Sequence, residues 1–265
     1  MYAFEYHRPS SSKEALELAA NKSEGKFLAG GQSLVQAMKL RLSAPSDLVD
    51  LGSLKELQSL KVDGSNVVIG AMVRHAEVAG SGDVQKKIPA LAQLAGMIGD
   101  RQVRHMGTIG GSLANNDPAA DYPAAVLGLG ATIATNKRKI EADQFFKGLY
   151  ETALEPGELI TSVTFPSPQR AAYMKFKNPA SRFAMVGVFV ADFGGKVRVG
   201  VTGAGACAFR QSEMEKALTA KFAPESVANI KVKADGLNND LHASPEYRAH
   251  LITVMAKRAV EAALK

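Results

Sequence analysis

The chain has 265 residues, 46% hydrophobic and 22% charged, with a formal net charge of +6, enough length for two or three compact units with cores of their own. No apolar run nears the roughly 18 residues of a membrane-crossing helix, and the start, MYAFEYHRPSSSKEALEL, lacks the basic-then-apolar order of a secretory signal, so the expected compartment is the cytoplasm. A single cysteine, Cys207, excludes an internal disulfide and any cysteine-built metal or iron–sulfur site on this chain alone, while evenly spread basic residues without tryptophan argue against nucleic acid.

Ser11-Ser12-Lys13-Glu14 reads as a capping box that opens a helix to about Asn21. Phe27 to Ala29 predicts a short strand running into Gly30-Gly31, and Ser33 stands where it can cap a helix LVQAMKLRL. Ser43 to Ser46 stops that helix, and DLVDL reads as a buried strand. KVDGSNVVIGAMV predicts a hairpin turning at Asp63-Gly64, followed by a helical stretch near His75. A helix over 88–98 with Pro89 near its start precedes the second glycine pair, Gly110-Gly111, and another helix follows over roughly 118–128. ATIAT and RKIEADQF read as a hairpin around Asn136-Lys137, and Glu155 to Glu158 as the turn before the strand LITSVTF. Beyond Pro166 and Pro168 the composition shifts. AMVGVFVADF and KVRVGVTG predict a hairpin at Gly194-Gly195, and Ser244-Pro245 opens a long C-terminal helix. A domain boundary is therefore expected near residue 167.

The two glycine pairs carry the functional signal. Glycine admits positive φ and close approach of a ligand because it has no Cβ. Consecutive main-chain N–H groups at such a turn form a concave donor array for anionic oxygens without any basic side chain. LAGGQSL offers this at residues 30–33 with the Ser33 hydroxyl added, and TIGGS offers it again with Thr108 and Ser112. Two arrays point to a long ligand with polar groups at separated points, such as a dinucleotide. The competing reading is a tight turn at each pair and nothing more. Other nucleotide fingerprints fit poorly. Gly25-Lys26 lacks the remaining P-loop residues, and Gly203-Ala-Gly205-Ala-Cys-Ala208 follows a hairpin strand where the dinucleotide fingerprint needs a βαβ unit.

LAGGQSLVQAMKLRLSAPSDLVDL, QVRHMGTIGGSLANNDPAADYPAAVLGL and YMKFKNPASRFAMVGVFV together resemble the FAD-binding medium subunit of molybdenum hydroxylases, the xanthine dehydrogenase and aerobic carbon monoxide dehydrogenase family. The resemblance runs from near residue 3 to the C-terminus and implies an α+β fold. A vanillyl-alcohol-oxidase-type (PCMH-type) FAD-binding domain would occupy residues 1–166, in subdomains of about 1–55 and 56–166. A smaller α+β domain like the C-terminal domain of carbon monoxide dehydrogenase flavoproteins would occupy 167–265. By the same resemblance Leu28, Ala29, Gly30, Gly31, Gln32, Ser33 and Leu34 would wrap the FAD pyrophosphate. Thr108, Gly110, Gly111 and Ser112 would lie along the ribityl chain and near the ring. Asp121 would bond polar groups of the cofactor, Ile160 would give backbone contacts by the adenine, and Lys175 would approach the flavin and stabilise negative charge on its reduced form. Phe183 would sit near the ring. Gln32 and Ser112 depart from the histidine and asparagine that some members have there.

The resemblance also implies a role. The chain would be an FAD-carrying electron-transfer subunit of an oxidoreductase complex, with no catalytic or metal-binding residue of its own. Electrons would come from 2Fe–2S clusters on a small partner subunit, fed by a molybdopterin centre on a large one, and leave to an external acceptor. The assembly would be a dimer of heterotrimers. The alternatives are a stand-alone nucleotide-binding or regulatory module without redox turnover, and a self-contained flavin oxidase, for which no substrate base is visible. Among the remaining residues, the scattered histidines 7, 75, 105, 242 and 250 read as surface or capping groups, and Cys207 as a buried small hydrophobe. Asp117 reads as an N-cap, Arg101 and Arg104 as surface or subunit contacts, and Met97, Met174 and Met185 as core filler.

Overall fold

The structure is a computed structural model that describes residues 1–20 and 24–265. Its first layer is a small parallel sheet of β1 (Glu5–His7), β2 (Gly25–Leu28) and β3 (Asp47–Asp50), in the order β1-β3-β2. Parallel neighbours cannot be joined by a tight turn, so β2 needs a crossover to reach β3. The helix Leu34–Lys39 supplies it, and the glycine pair 30–31 falls between β2 and that helix, at the carboxyl ends of the strands. Open sheets of this kind take ligands at that edge.

The second layer is antiparallel. It comprises β4 (Leu60–Asp63), β5 (Asn66–Gly70), β6 (Thr132–Thr135) and β7 (Lys139–Glu141), a separate hairpin of β8 (Phe146–Gly148) with β9 (Glu151–Thr152), and β10 (Ile160–Pro166). The sheet order is β4-β5-β10-β6-β7, so β10 returns to the middle between two hairpins. Short helices including Pro89–Gly96 and Tyr122–Leu129 cover its apolar face, and the latter is buried on every side.

The third sheet is a meander of β11 (Arg170–Lys177), β12 (Ala184–Asp192), β13 (Val197–Thr202) and β14 (Phe209–Arg210). Residues of β12 alternate between two cores, as a strand's period of two requires. Phe189 and Ala191 join the core under the second sheet, whereas Val186, Val188 and Val190 pack with the helix Pro245–Ala263. That helix is capped as predicted, with the Ser244 hydroxyl accepting from the Tyr247 N–H at 3.2 Å. The result is the α+β class expected from sequence. Among the described residues no helix is long and apolar enough to cross a membrane.

Several local expectations need correction. Ser11 Oγ accepts from the Glu14 N–H, but the Glu14 carboxylate reaches Ser10 and not Ser11, and the predicted helix end at Asn21 lies outside the described residues. The helix after the first glycine pair stops at Lys39, with Arg41 in the left-handed region (φ 60). Ser33 precedes it without any side-chain cap bond. A helix at Arg101–Met106, capped by Asp100, was not foreseen. The helix expected over 118–128 begins at Tyr122, and Asp117 caps no helix: its Oδ1 accepts from the Ala119 N–H in a turn. Arg104 donates to the Ile98 and Gly99 carbonyls and so ties down a turn, Met97 is exposed, and Cys207 is only partly buried. The Gly203–Ala208 stretch follows the antiparallel strand β13, not a βαβ unit.

Candidate functional site

A cavity of about 400 Å³ opens between the first sheet, the second sheet and the 181–183 turn of the third, a size suited to a bound small molecule or cofactor. Of the residues expected from sequence, 29–34, Thr108, Gly110, Gly111, Ser112, Asp121 and Ile160 line it, and so does Phe183. Leu28 and Lys175 do not. Leu28 ends β2 beneath Gly31, and Lys175 lies behind Asp121.

The first glycine turn is an open donor array. Among the described residues the main-chain N–H groups of 30–34 donate to no protein acceptor, although the carbonyls beside them are used by Val35 N–H (to Gly31, 3.1 Å) and Ala37 N–H (to Ser33, 3.0 Å). Unpaired amides persist only where water or a ligand can reach them. Gly31 holds φ +71, where a side chain is strained, and a Cβ there would also meet Val35 Cγ2 at 2.9 Å. Gly30 serves a different need: a Cβ would fall 2.1 Å from the Met106 carbonyl oxygen, so the second turn lies directly against it.

The second glycine turn is closed. Its glycines stand in the first turn of a helix, Ile109–Asn115, capped by Thr108. Ile109 N–H donates to Val73 O (3.1 Å), Gly110 N–H to Ala71 O (2.8 Å), Gly111 N–H to Thr108 Oγ1 (3.2 Å) and Ser112 N–H to Thr108 O (3.0 Å). The expectation of a second amide array therefore fails. Gly110 is required because a Cβ would sit 2.6 Å from Ala71 Cβ and 2.7 Å from its carbonyl oxygen. What this turn presents to the cavity is a helix edge without side chains, flanked by Ser112.

Asp121 and Lys175 form a buried pair at the cavity margin. Lys175 Nζ donates to Asp121 Oδ2 at 2.9 Å and to the Met97 carbonyl at 3.2 Å, with 3% of its side chain exposed. Tyr173, two residues earlier on the same face of β11, donates to Asp121 Oδ1 at 2.5 Å. Burial pushes the Asp121 carboxyl up, opposed by the Lys175 charge and the two hydrogen bonds. The pair fastens the third sheet to the start of the helix Tyr122–Leu129, and the carboxylate offsets the lysine charge. Phe183, 48% exposed, stands on a turn in which Asn178 Oδ1 accepts from the Ala180 and Ser181 N–H groups and Arg182 takes φ 64.

Glu158 and His75 are among the lining residues that the sequence did not assign to the site. Glu158 accepts from Thr135 Oγ1 (2.7 Å) and from Arg138 Nε (3.1 Å) and Nη2 (3.0 Å), and these contacts, the Arg138 hydrogen bond first, bring its carboxyl down to about 2. It had been visible only as part of a turn. His75, expected as a surface or capping group, is buried in the cavity wall, where burial lowers its imidazole to about 4. No spacing rule marks either residue, because each reaches the cavity through tertiary packing.

Comparison with known proteins places this geometry. The family profile described as the FAD binding domain in molybdopterin dehydrogenase matches residues 2–168. The chain is 35% identical to the carbon monoxide dehydrogenase medium chain of Afipia carboxidovorans, over 98% of this chain and 96% of that one. It is 34% identical to the nicotine 6-hydroxylase medium subunit of Paenarthrobacter nicotinovorans, over 97% and 96% respectively. Among solved structures, a chain of carbon monoxide dehydrogenase from Hydrogenophaga pseudoflava, in a form lacking the Mo-pyranopterin moiety of the molybdenum cofactor, superposes with a TM-score of 0.91 at 36% identity, covering 99% of this chain and 98% of that one.

Proposed function

The chain belongs to the family of FAD-binding subunits of molybdopterin dehydrogenases, and from that premise we propose that it holds FAD in the cavity between its first two sheets. It is the FAD subunit, of the medium-chain type, of an oxidoreductase complex. The single observation that carries the placement is the run of five amides at 30–34 beside the cavity, unpaired among the described residues. Neutral donors fixed in one geometry suit a diphosphate, since they need no reorganisation and no cationic side chain. The rest of the wall fits as well. Leu154, Leu159 and Ile160 offer an apolar seat for an adenine, and the side-chain-free helix edge at Gly110-Gly111 leaves room for the other half of a dinucleotide.

Bound FAD would supply the redox chemistry, linking 2Fe–2S clusters of a small partner subunit to an external acceptor. The chain's own residues bind and orient. The 30–34 amides hold the diphosphate, Ser33 and Ser112 add hydroxyl donors, and Gly31 gives the first turn its shape. Asp121, fastened to Tyr173 and Lys175, presents a carboxylate at the cavity edge whose charge the lysine offsets, so the pair contributes position more than net charge. Phe183 covers part of the mouth. We place the division of labour near residue 167, with residues 1–166 gripping the cofactor and 167–265 closing its margin. The full assembly in this reading adds a large molybdopterin subunit and forms a dimer of heterotrimers.

The test is direct. The purified chain should be yellow, retain FAD, bleach with dithionite and show no turnover with organic substrates on its own. A colourless chain that cannot be reconstituted with FAD would end this proposal, and reduction of the isolated chain by an organic substrate would favour a self-contained oxidase.

A further inference from the structure

His75 has no part in the function as proposed so far. It lines the cavity, is 4% exposed, and opens the helix His75–Gly80 with its main-chain N–H on the Gly107 carbonyl at 3.0 Å. Among the described residues its ring Nδ1, which is buried, finds no hydrogen-bond partner. The ring is wedged under the second glycine turn, where a Cβ on Gly107 would come within 2.6 Å of Nε2. It also lies 5.3 Å, centroid to centroid, from Tyr122, whose hydroxyl is likewise buried and unpartnered. Leaving buried polar atoms unpaired is unfavourable, and a leucine would fill much of the space without that cost. A partner from outside the protein, a water or a group of a bound ligand, would satisfy the histidine.

Its chemistry narrows what that is. Burial, with the nearby Arg104 charge, keeps the imidazole neutral at physiological pH. A neutral imidazole has one N–H donor and one lone pair, so it can donate to or accept from an uncharged polar atom. Ala71, Met72 and Val103, which line the same cavity, are apolar, and an apolar wall strengthens a hydrogen bond made against it. With the diphosphate on the 30–34 amides and the adenine beside Ile160, the second glycine turn and His75 are left to the other half of the ligand.

We propose that His75 is a binding residue for the flavin half of the dinucleotide, its imidazole hydrogen-bonding an uncharged polar group there, a ring carbonyl, a ring nitrogen or a ribityl hydroxyl. The inference rests on the reading that this cavity holds FAD. It is tested on the full-length chain stripped of flavin, by titrating FAD, FMN and ADP into the wild type, His75→Leu and His75→Gln and following binding by fluorescence and calorimetry. His75→Leu should weaken FAD and FMN about tenfold and leave ADP within about twofold, and His75→Gln should recover most of the loss. Unchanged FAD and FMN affinity, or an equal loss for all three ligands, would overturn the assignment. If His75→Leu does not fold, the wild-type ring nitrogens answer instead. Their NMR resonances should move on adding FMN and stay put on adding ADP, and resonances indifferent to FMN refute the contact. Failure of the wild type to bind FAD at all would sink the proposed function along with this inference, whereas FAD binding with a silent His75 sinks only the latter.

Discussion

At residues 30–34 five successive amides lack any acceptor among the described residues, whereas at 109–112 every amide is already bonded, to Val73, Ala71 or Thr108. The two stretches look alike in sequence, each an apolar residue before Gly-Gly with a serine one or two residues after it. They differ in what stands on either side. The first bridges a parallel strand and a six-residue helix and needs a left-handed residue at Gly31. The second is swallowed by a helix pressed onto Ala71, so its glycines are there for closeness, not for backbone freedom. A glycine pair thus marks a backbone constraint without saying whether a ligand or the protein itself imposes it.

Substitutions can break this contrast or sharpen it. The largest effect is expected at Gly30, where both turns meet. Gly30→Ala drives a methyl into the Met106 carbonyl, and should lower stability by about 3 kcal/mol and abolish FAD retention. Denaturant midpoints and flavin absorbance of the purified variant would show it. Next come Gly31 and Gly110, one from each turn. Gly31→Val should weaken FAD at least about a hundredfold while lowering apo-protein stability by about 2 kcal/mol, because the positive φ is strained and the array distorts. Gly110→Ala should show the reverse balance, with about 2 kcal/mol of lost stability and FAD affinity within about threefold of wild type. If Gly110→Ala sheds FAD at undiminished stability, the closed turn is a ligand contact after all and the contrast collapses.

Acid sensitivity should arise elsewhere in the wall. Glu158 has its carboxyl lowered to about 2, the Arg138 hydrogen bond leading. A lowered folded-state value means stability fully present above the unfolded carboxylate value near 4.5 and lost as pH falls from there toward about 2. Glu158→Gln should cost about 2 kcal/mol at neutral pH and flatten the stability profile across that window, read by thermal melts at stepped pH. The smallest effects separate the two hydroxyls. Thr108→Ala removes a helix cap and should cost about 1 kcal/mol. Ser33→Ala removes no cap bond and should leave stability within about 0.5 kcal/mol. FAD affinity should move the opposite way, falling about threefold for Ser33→Ala and hardly at all for Thr108→Ala. Parallel losses in both variants would contradict the contrast.

Much of the architecture was legible because its signals are local. The hairpins at Asp63-Gly64 and Gly194-Gly195, the Ser244-Pro245 helix start and the buried strand at 47–50 all follow from turn residues and alternation. The cavity's first wall was legible too, since a strand, two glycines and a helix start imply exposed amides. The second wall misled because Gly-Gly lowers helix propensity, and nothing in the local sequence announces the press of Ala71 that keeps both glycines inside a helix. His75, Glu158 and the Asp121–Lys175 pair reach the cavity by long-range packing, the last across 54 positions of chain. Periodicity carries no information at that range.

Strand β12 has one further consequence. Because its alternate side chains belong to two different cores, it works as a party wall between the long C-terminal helix and the helix that begins beside Asp121. A cut at the 167–169 linker would leave both halves with a raw greasy face, so neither half makes a sound building block for a chimaera. A push on the C-terminal helix from a docked neighbour would bear on the same strand that packs against the helix beginning beside Asp121.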